Sequence, residues 1–131
     1  MDEIPVWFET HSNYTITHQG ESHVKVKRSG KSKDRITVVL CCLSDGTKLP
    51  PIVITNRNVN HKEVPAGLIV WNQDKSYMTK DLMLKWIGYY NSHVDSEDKL
   101  LILDAFSAHK SALIKNEFRD QGIKIAMVWT R

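Results

Sequence analysis

The feature that most constrains this chain is a change of hydrophobic period about halfway along it. From Thr79 onward, Leu82, Met83, Trp86, Ile87, Tyr90 and Val94 recur at helical spacing. An apolar run follows, Leu100-Leu101-Ile102-Leu103-Asp104. A second helical stretch runs from about residue 108 to 121, with Ile114 and Phe118 one turn apart and Gly122 as its stop signal. The last run is Ile123-Lys124-Ile125-Ala126-Met127-Val128-Trp129. A strand–helix–strand crossover of this length obliges the two flanking strands to lie parallel. Thr79 is suited to cap the first helix, with Asp81 favourable in its first turn.

The first half reads as strands. His23-Val24-Lys25-Val26-Lys27 alternates polar and apolar residues, Ser29-Gly30-Lys31-Ser32 is a turn, and the run from Arg35 to Leu43 is β-branched and nearly all apolar, as a central buried strand would be. Asp45-Gly46 signals a hairpin, and Leu49-Pro50-Pro51-Ile52-Val53-Ile54 returns from it. Leu68-Ile69-Val70-Trp71 makes a further short strand. The expected fold class is α/β: an antiparallel meander feeding βαβ units, giving one mixed sheet with helices on its faces. Trp7, Trp71, Trp86 and Trp129 are expected to fill the core.

At 131 residues the chain is a single domain, large enough for a core without staples. Cys41 and Cys42 are adjacent, so along a strand they point to opposite faces and do not pair; they read as free thiols in a reducing compartment. Neither a Cys-x-x-Cys pair nor a His-Glu-x-x-His motif is present, which argues against a zinc site. No apolar run reaches membrane-spanning length, and the acidic opening Met1-Asp2-Glu3-Ile4-Pro5 does not read as a secretory signal.

Asp104 closes a buried strand, where an isolated carboxylate is costly unless it is paired, metal-bound or at a wet edge. Either it caps the following turn or it is a ligand. Along the strand Leu100, Ile102 and Asp104 share one face, and Leu101 and Leu103 the other. The net charge is +3, and the cations cluster: Lys25, Lys27, Arg28, Lys31, Lys33 and Arg35, offset only by Asp34. Such a hairpin is either a solvated edge whose lysines block aggregation or a surface for DNA phosphates. If every one of these cations met a phosphate, the salt slope would be about −5.

Three blocks, in order, resemble the catalytic domain of DDE superfamily endonucleases, the transposases of the Tigger, pogo and jerky kind. They are Met1-Asp2-Glu3-Ile4-Pro5-Val6-Trp7-Phe8, then Arg35-Ile36-Thr37-Val38-Val39-Leu40 with Ser44-Asp45-Gly46-Thr47-Lys48-Leu49-Pro50-Pro51, then Leu100-Leu101-Ile102-Leu103-Asp104 with Ser107 and His109. The resemblance implies a ribonuclease-H-like fold, incomplete at both ends, with residues 1–131 forming one partial domain. It implies Asp2 and Asp104 as catalytic and metal-binding carboxylates for Mg²⁺ or Mn²⁺, the residue 25–35 hairpin on DNA, and a nuclear location. Glu3 is then a surface acid or a support for Asp2. His109 either caps its helix or contacts a phosphate. The family's third carboxylate follows the final strand in a Pro-Leu-Asp-like segment. Here Glu117 and Asp120 fall on the helix before that strand.

The resemblance therefore implies weak or absent metal binding and little strand cleavage by this chain alone, with a second copy or a partner chain completing the domain. The alternatives are a domesticated DNA-binding module without metal chemistry and a remnant without function.

Overall fold

The computed structural model describes residues 1–9, 16, 18–20, 34–105 and 111–128. Among them are six strands and two α-helices: β1 (Asp2–Trp7), β2 (Arg35–Leu40), β3 (Ile52–Thr55), β4 (Ile69–Asn72), α1 (Lys80–His93), β5 (Lys99–Asp104), α2 (Ala112–Asp120) and β6 (Ile123–Val128). β1, β2 and β3 pair antiparallel as a meander. β4 departs from the expected meander, because it joins β3 parallel. The link between them, residues 56–68, carries the chain back through a short 3₁₀ turn at His61–Glu63, so β4 starts level with β3. β5 and β6 pair parallel across α2, as the crossover requires.

The strands form a four-stranded sheet in the order β1-β2-β3-β4 and a two-stranded sheet of β5 and β6. They are linked where the Met1 amine donates a hydrogen bond to the Ile102 carbonyl at 2.9 Å. The single expected sheet is therefore two sheets that meet where β1 begins.

Both helices serve one core. α1 contributes Met83, Trp86, Ile87 and Tyr90, and α2 contributes Ile114 and Phe118. They pack with Val39, Ile52, Ile54 and Trp71 of the first sheet and Leu101, Leu103 and Ile123 of the second. Among the described residues the helices thus cover one face of the strands, not both as expected. On the other face Ile4, Val6, Leu40, Leu100, Ile102 and Val128 are exposed. β2 was expected to be buried throughout. Its alternation buries only Thr37 and Val39, which point to the helices.

Local chemistry explains the boundaries. The Thr79 side chain accepts from the Leu82 N–H at 3.3 Å and starts α1, as the sequence indicates. Ser111 caps α2 in the same way. Gly122, at φ 69°, ends that helix with its N–H on the Arg119 carbonyl. In the hairpin after β2, Gly46 takes φ 89°, and the Thr47 N–H donates to the Asp45 carboxylate at 2.8 Å. That bond holds the Asp45 carboxyl below the usual carboxylate range. Buried Ser76 tethers the approach to α1: its carbonyl accepts from Thr37 Oγ1 at 2.6 Å, and its hydroxyl accepts from the Asn56 N–H at 2.8 Å.

Candidate functional site

The two aspartates lie where the sheets meet. Met1 stands immediately before Asp2, and Ile102 two residues before Asp104. The Met1-to-Ile102 bond ties the chain just before Asp2 to β5 just before Asp104, so the start of β1 and the end of β5 come near one another. Alternation carries the faces as well. Leu101 and Leu103 are buried under the helices, while Leu100 and Ile102 are exposed, so Asp104 shares the open face. Met1 packs against the core and Asp2 is exposed, which turns Asp2 to that same face.

The Asp2 carboxylate accepts from the Glu3 N–H at 2.8 Å. Asp104 is half-buried, and the ladder beyond it continues with the Ala105 N–H on the Val128 carbonyl at 3.0 Å. Glu3 is half-buried opposite Val39, on the helix-covered face, and so points away from Asp2. Among the described residues, no group of three or more His, Cys, Asp or Glu side chains is arranged to hold a metal ion. Carboxylate oxygens are nonetheless the hard donors that Mg²⁺ and Mn²⁺ prefer, and one or two carboxylates commonly suffice alongside water and phosphate.

Of the basic hairpin, Lys25, Lys27, Arg28, Lys31 and Lys33 lie outside the described residues, as do His109 and Trp129. Arg35 is described. It is half-buried at the start of β2, directly across from Trp7, with its guanidinium 5.4 Å from the Trp7 ring and 5.8 Å from that of Tyr77. Trp7 was expected in the core and is instead 46% exposed. Trp71 and Trp86 are buried, as expected.

Sequence reasoning missed a second cation–ring pair beside this one. Arg57 lies 4.1 Å from the Phe8 ring and pairs with Asp34 at 3.2 Å. No local pattern signals it, since its members come from three separate stretches of chain. No helix of the described residues is long and apolar enough to cross a membrane.

A family model described as DDE superfamily endonuclease matches residues 33–129. That span contains Asp104 and begins after Asp2. Over 132 aligned residues the chain is 31% identical to the human pogo transposable element with KRAB domain, covering 97% of this chain and 22% of the relative. The mouse protein of the same name is 30% identical over the same shares. CENP-B homolog protein 2 of Schizosaccharomyces pombe is 27% identical over 114 residues, covering 79% of this chain and 22% of that protein. The chain thus spans 22% of the length of these relatives. No solved structure matches.

Proposed function

Since the chain belongs to the DDE superfamily endonucleases, we propose that it is part of the DNA-handling catalytic domain of a transposase-derived nuclear protein of the pogo, Tigger and jerky kind. Asp2 and Asp104 are its divalent-metal carboxylates, on a sheet arranged as in ribonuclease H. The observation that carries this reading is the Met1–Ile102 hydrogen bond, which ties the chain just before Asp2 to β5 just before Asp104. Two carboxylates far apart in sequence, one opening β1 and one closing β5, are turned to the side of the strands that the helices leave uncovered.

In this reading Asp2 and Asp104 would hold Mg²⁺ or Mn²⁺ through their side-chain oxygens. When bound, such an ion lowers the pKa of attacking water and stabilises charge on the leaving oxygen of a phosphodiester. The chain's own part is to fix the two carboxylates on β-strand backbones and to leave their face open to substrate. Lys25, Lys27, Arg28, Lys31, Lys33 and Arg35 supply cations for DNA phosphates, and His109 supports the carboxylates or the substrate, whereas Glu3, turned to the helix-covered face, takes no part. The 131-residue polypeptide carries two of the three carboxylates that the family resemblance calls for. It is expected to bind DNA but to cut it little or not at all. A second copy or a partner chain would complete the domain.

The test is thermal or urea unfolding with and without Mn²⁺. An ion that binds only the folded chain adds about 2.7 kcal/mol at a hundredfold excess over Kd. Stabilisation that disappears in Asp2→Asn and in Asp104→Asn supports the metal site. No stabilisation, with DNA binding unchanged in both variants, replaces it with a metal-free DNA-binding module. Robust nicking of supercoiled DNA that Asp104→Ala abolishes would overturn the expected inactivity.

A further inference from the structure

At the end of β1 remote from Asp2, two half-exposed rings adjoin two arginines. Trp7 is 46% and Phe8 49% exposed, although they are neighbours and among the largest apolar side chains in the protein. Each is held from one side. Trp7 is the direct cross-strand partner of Arg35, whose guanidinium is 5.4 Å from its ring, and Tyr77 flanks the same guanidinium at 5.8 Å. Phe8 is fixed by its N–H on the Asp34 carbonyl at 3.0 Å and by Arg57 at 4.1 Å from its ring. Asp34 in turn fixes Arg57 through an ion pair at 3.2 Å.

A guanidinium over a ring occupies one π-face and leaves the rest of the ring to another flat group. The exposed rings are therefore oriented in advance, and the groups that orient them are cations. This combination suits an occupant with flat faces and negative charge. Unpaired nucleotides have both, and aromatic platforms edged with arginine are how proteins take up single strands. A paired duplex keeps its base faces stacked and offers them to no ring. Charge favours the same occupant, because Lys25, Lys27, Arg28, Lys31 and Lys33 lie in the sequence just before Asp34. Trp7 follows Asp2 by five positions, about 17 Å along an extended strand. Alternation sets Trp7 on the face of Glu3 and not of Asp2, so the rings are a contact separate from the aspartates.

We propose that Trp7 with Arg35 and Phe8 with Arg57 form two adjoining stacking sites, together a platform at the end of β1 for unpaired bases of single-stranded DNA. The proposal rests on the DNA-binding reading and adds to it a preference for unpaired over paired strands at this place.

The experiment measures binding of an oligothymidine of about 12 nucleotides and of a blunt duplex by fluorescence anisotropy. The proteins are the full 131-residue chain and its variants Trp7→Ala, Phe8→Ala and Trp7→Phe. Trp7→Ala and Phe8→Ala should each weaken single-strand binding about tenfold, Trp7→Phe should retain it, and duplex binding should stay the same in all. If an alanine variant fails to fold, the difference in tryptophan quenching between the wild type and Trp7→Phe on adding the oligothymidine gives an independent readout. Quenching assigned to Trp7 supports stacking, and its absence overturns it. Single-strand affinity unchanged in both alanine variants, with duplex still bound, overturns the platform and leaves the DNA-binding reading intact. Failure to bind either DNA overturns both.

Discussion

Replacing Leu103 and Ile102 by alanine, one at a time, tests which face of β5 is covered and therefore where Asp104 points. The two are neighbours on one strand, so the change in strand propensity is similar and the difference in cost reports burial. Leu103 is 2% exposed among the side chains of both helices, while Ile102 is 56% exposed. Truncating a fully buried leucine removes its transfer energy and leaves a cavity, at a cost of about 3 kcal/mol. Ile102 has less than half its surface covered and leaves no cavity, so its loss costs about 1 kcal/mol. Against a domain stability of roughly 5–15 kcal/mol, the first change is severe and the second mild. With a urea dependence of about 1–3 kcal/mol per molar, Leu103→Ala moves the midpoint by at least about 1 M. Circular dichroism during urea unfolding gives both values, and an unchanged slope shows that stability alone has moved. An Ile102→Ala cost equal to or above that of Leu103→Ala would refute the face assignment. Asp104, on the same side as Ile102, would then be turned into packed structure and not toward substrate.

Three further outcomes are expected. Thr79→Ala should cost about 1 kcal/mol while Thr79→Ser costs little, since the Thr79 oxygen caps α1; equal costs in urea melts would remove the cap from the account. Cys42 is exposed, whereas burial pushes the Cys41 thiol above its ordinary pKa, so mass spectrometry should find Cys42 alkylated first at mildly alkaline pH, and equal rates would contradict the burial. The hydrogen bond and charge of Lys124 hold the Asp98 carboxyl below the usual range. The folded chain thus favours the ionised form, and this contribution is present above the unfolded carboxylate pKa and lost as pH falls through the folded value. Asp98→Asn should lower stability slightly at neutral pH, with a difference that vanishes in strong acid and in high salt. A difference that persists in acid would show that the pair is not its source.

What the sequence made legible follows the range of the forces involved. Thr79, Gly122 and Asp45-Gly46 act on backbone a few residues away, and each does what its chemistry indicates. The faces of β5 were equally plain, because alternation is a property of the strand itself. What escaped depends on partners distant in the chain. The run from Arg35 to Leu43 looks buried on both sides, but only one side of β2 receives helices. Trp7 has the chemistry of a core residue and is nonetheless half-exposed. The parallel direction of β4 is set by the course of residues 56–68, whose sequence carries no period. Arg57 is one cation among many until the fold brings it over Phe8.

A carboxylate meant for chemistry must sit on rigid backbone and still be reached by substrate, two demands that oppose each other in a helix-covered sheet. Period-two alternation reconciles them here. Leu101 and Leu103 hold β5 to the core, and the same alternation turns Asp104 outward. Met1 does for Asp2 what Leu103 does for Asp104, since it packs inward and donates its amine to Ile102. The arrangement is therefore sensitive to register and not to distance alone. A slip of one residue between β1 and β2 would exchange the faces, turning Asp2 toward the helices and Met1 outward. A buried, uncompensated carboxylate is far costlier than an exposed methionine. That asymmetry favours the register in which Asp2 faces out, on the side to which alternation along β5 turns Asp104.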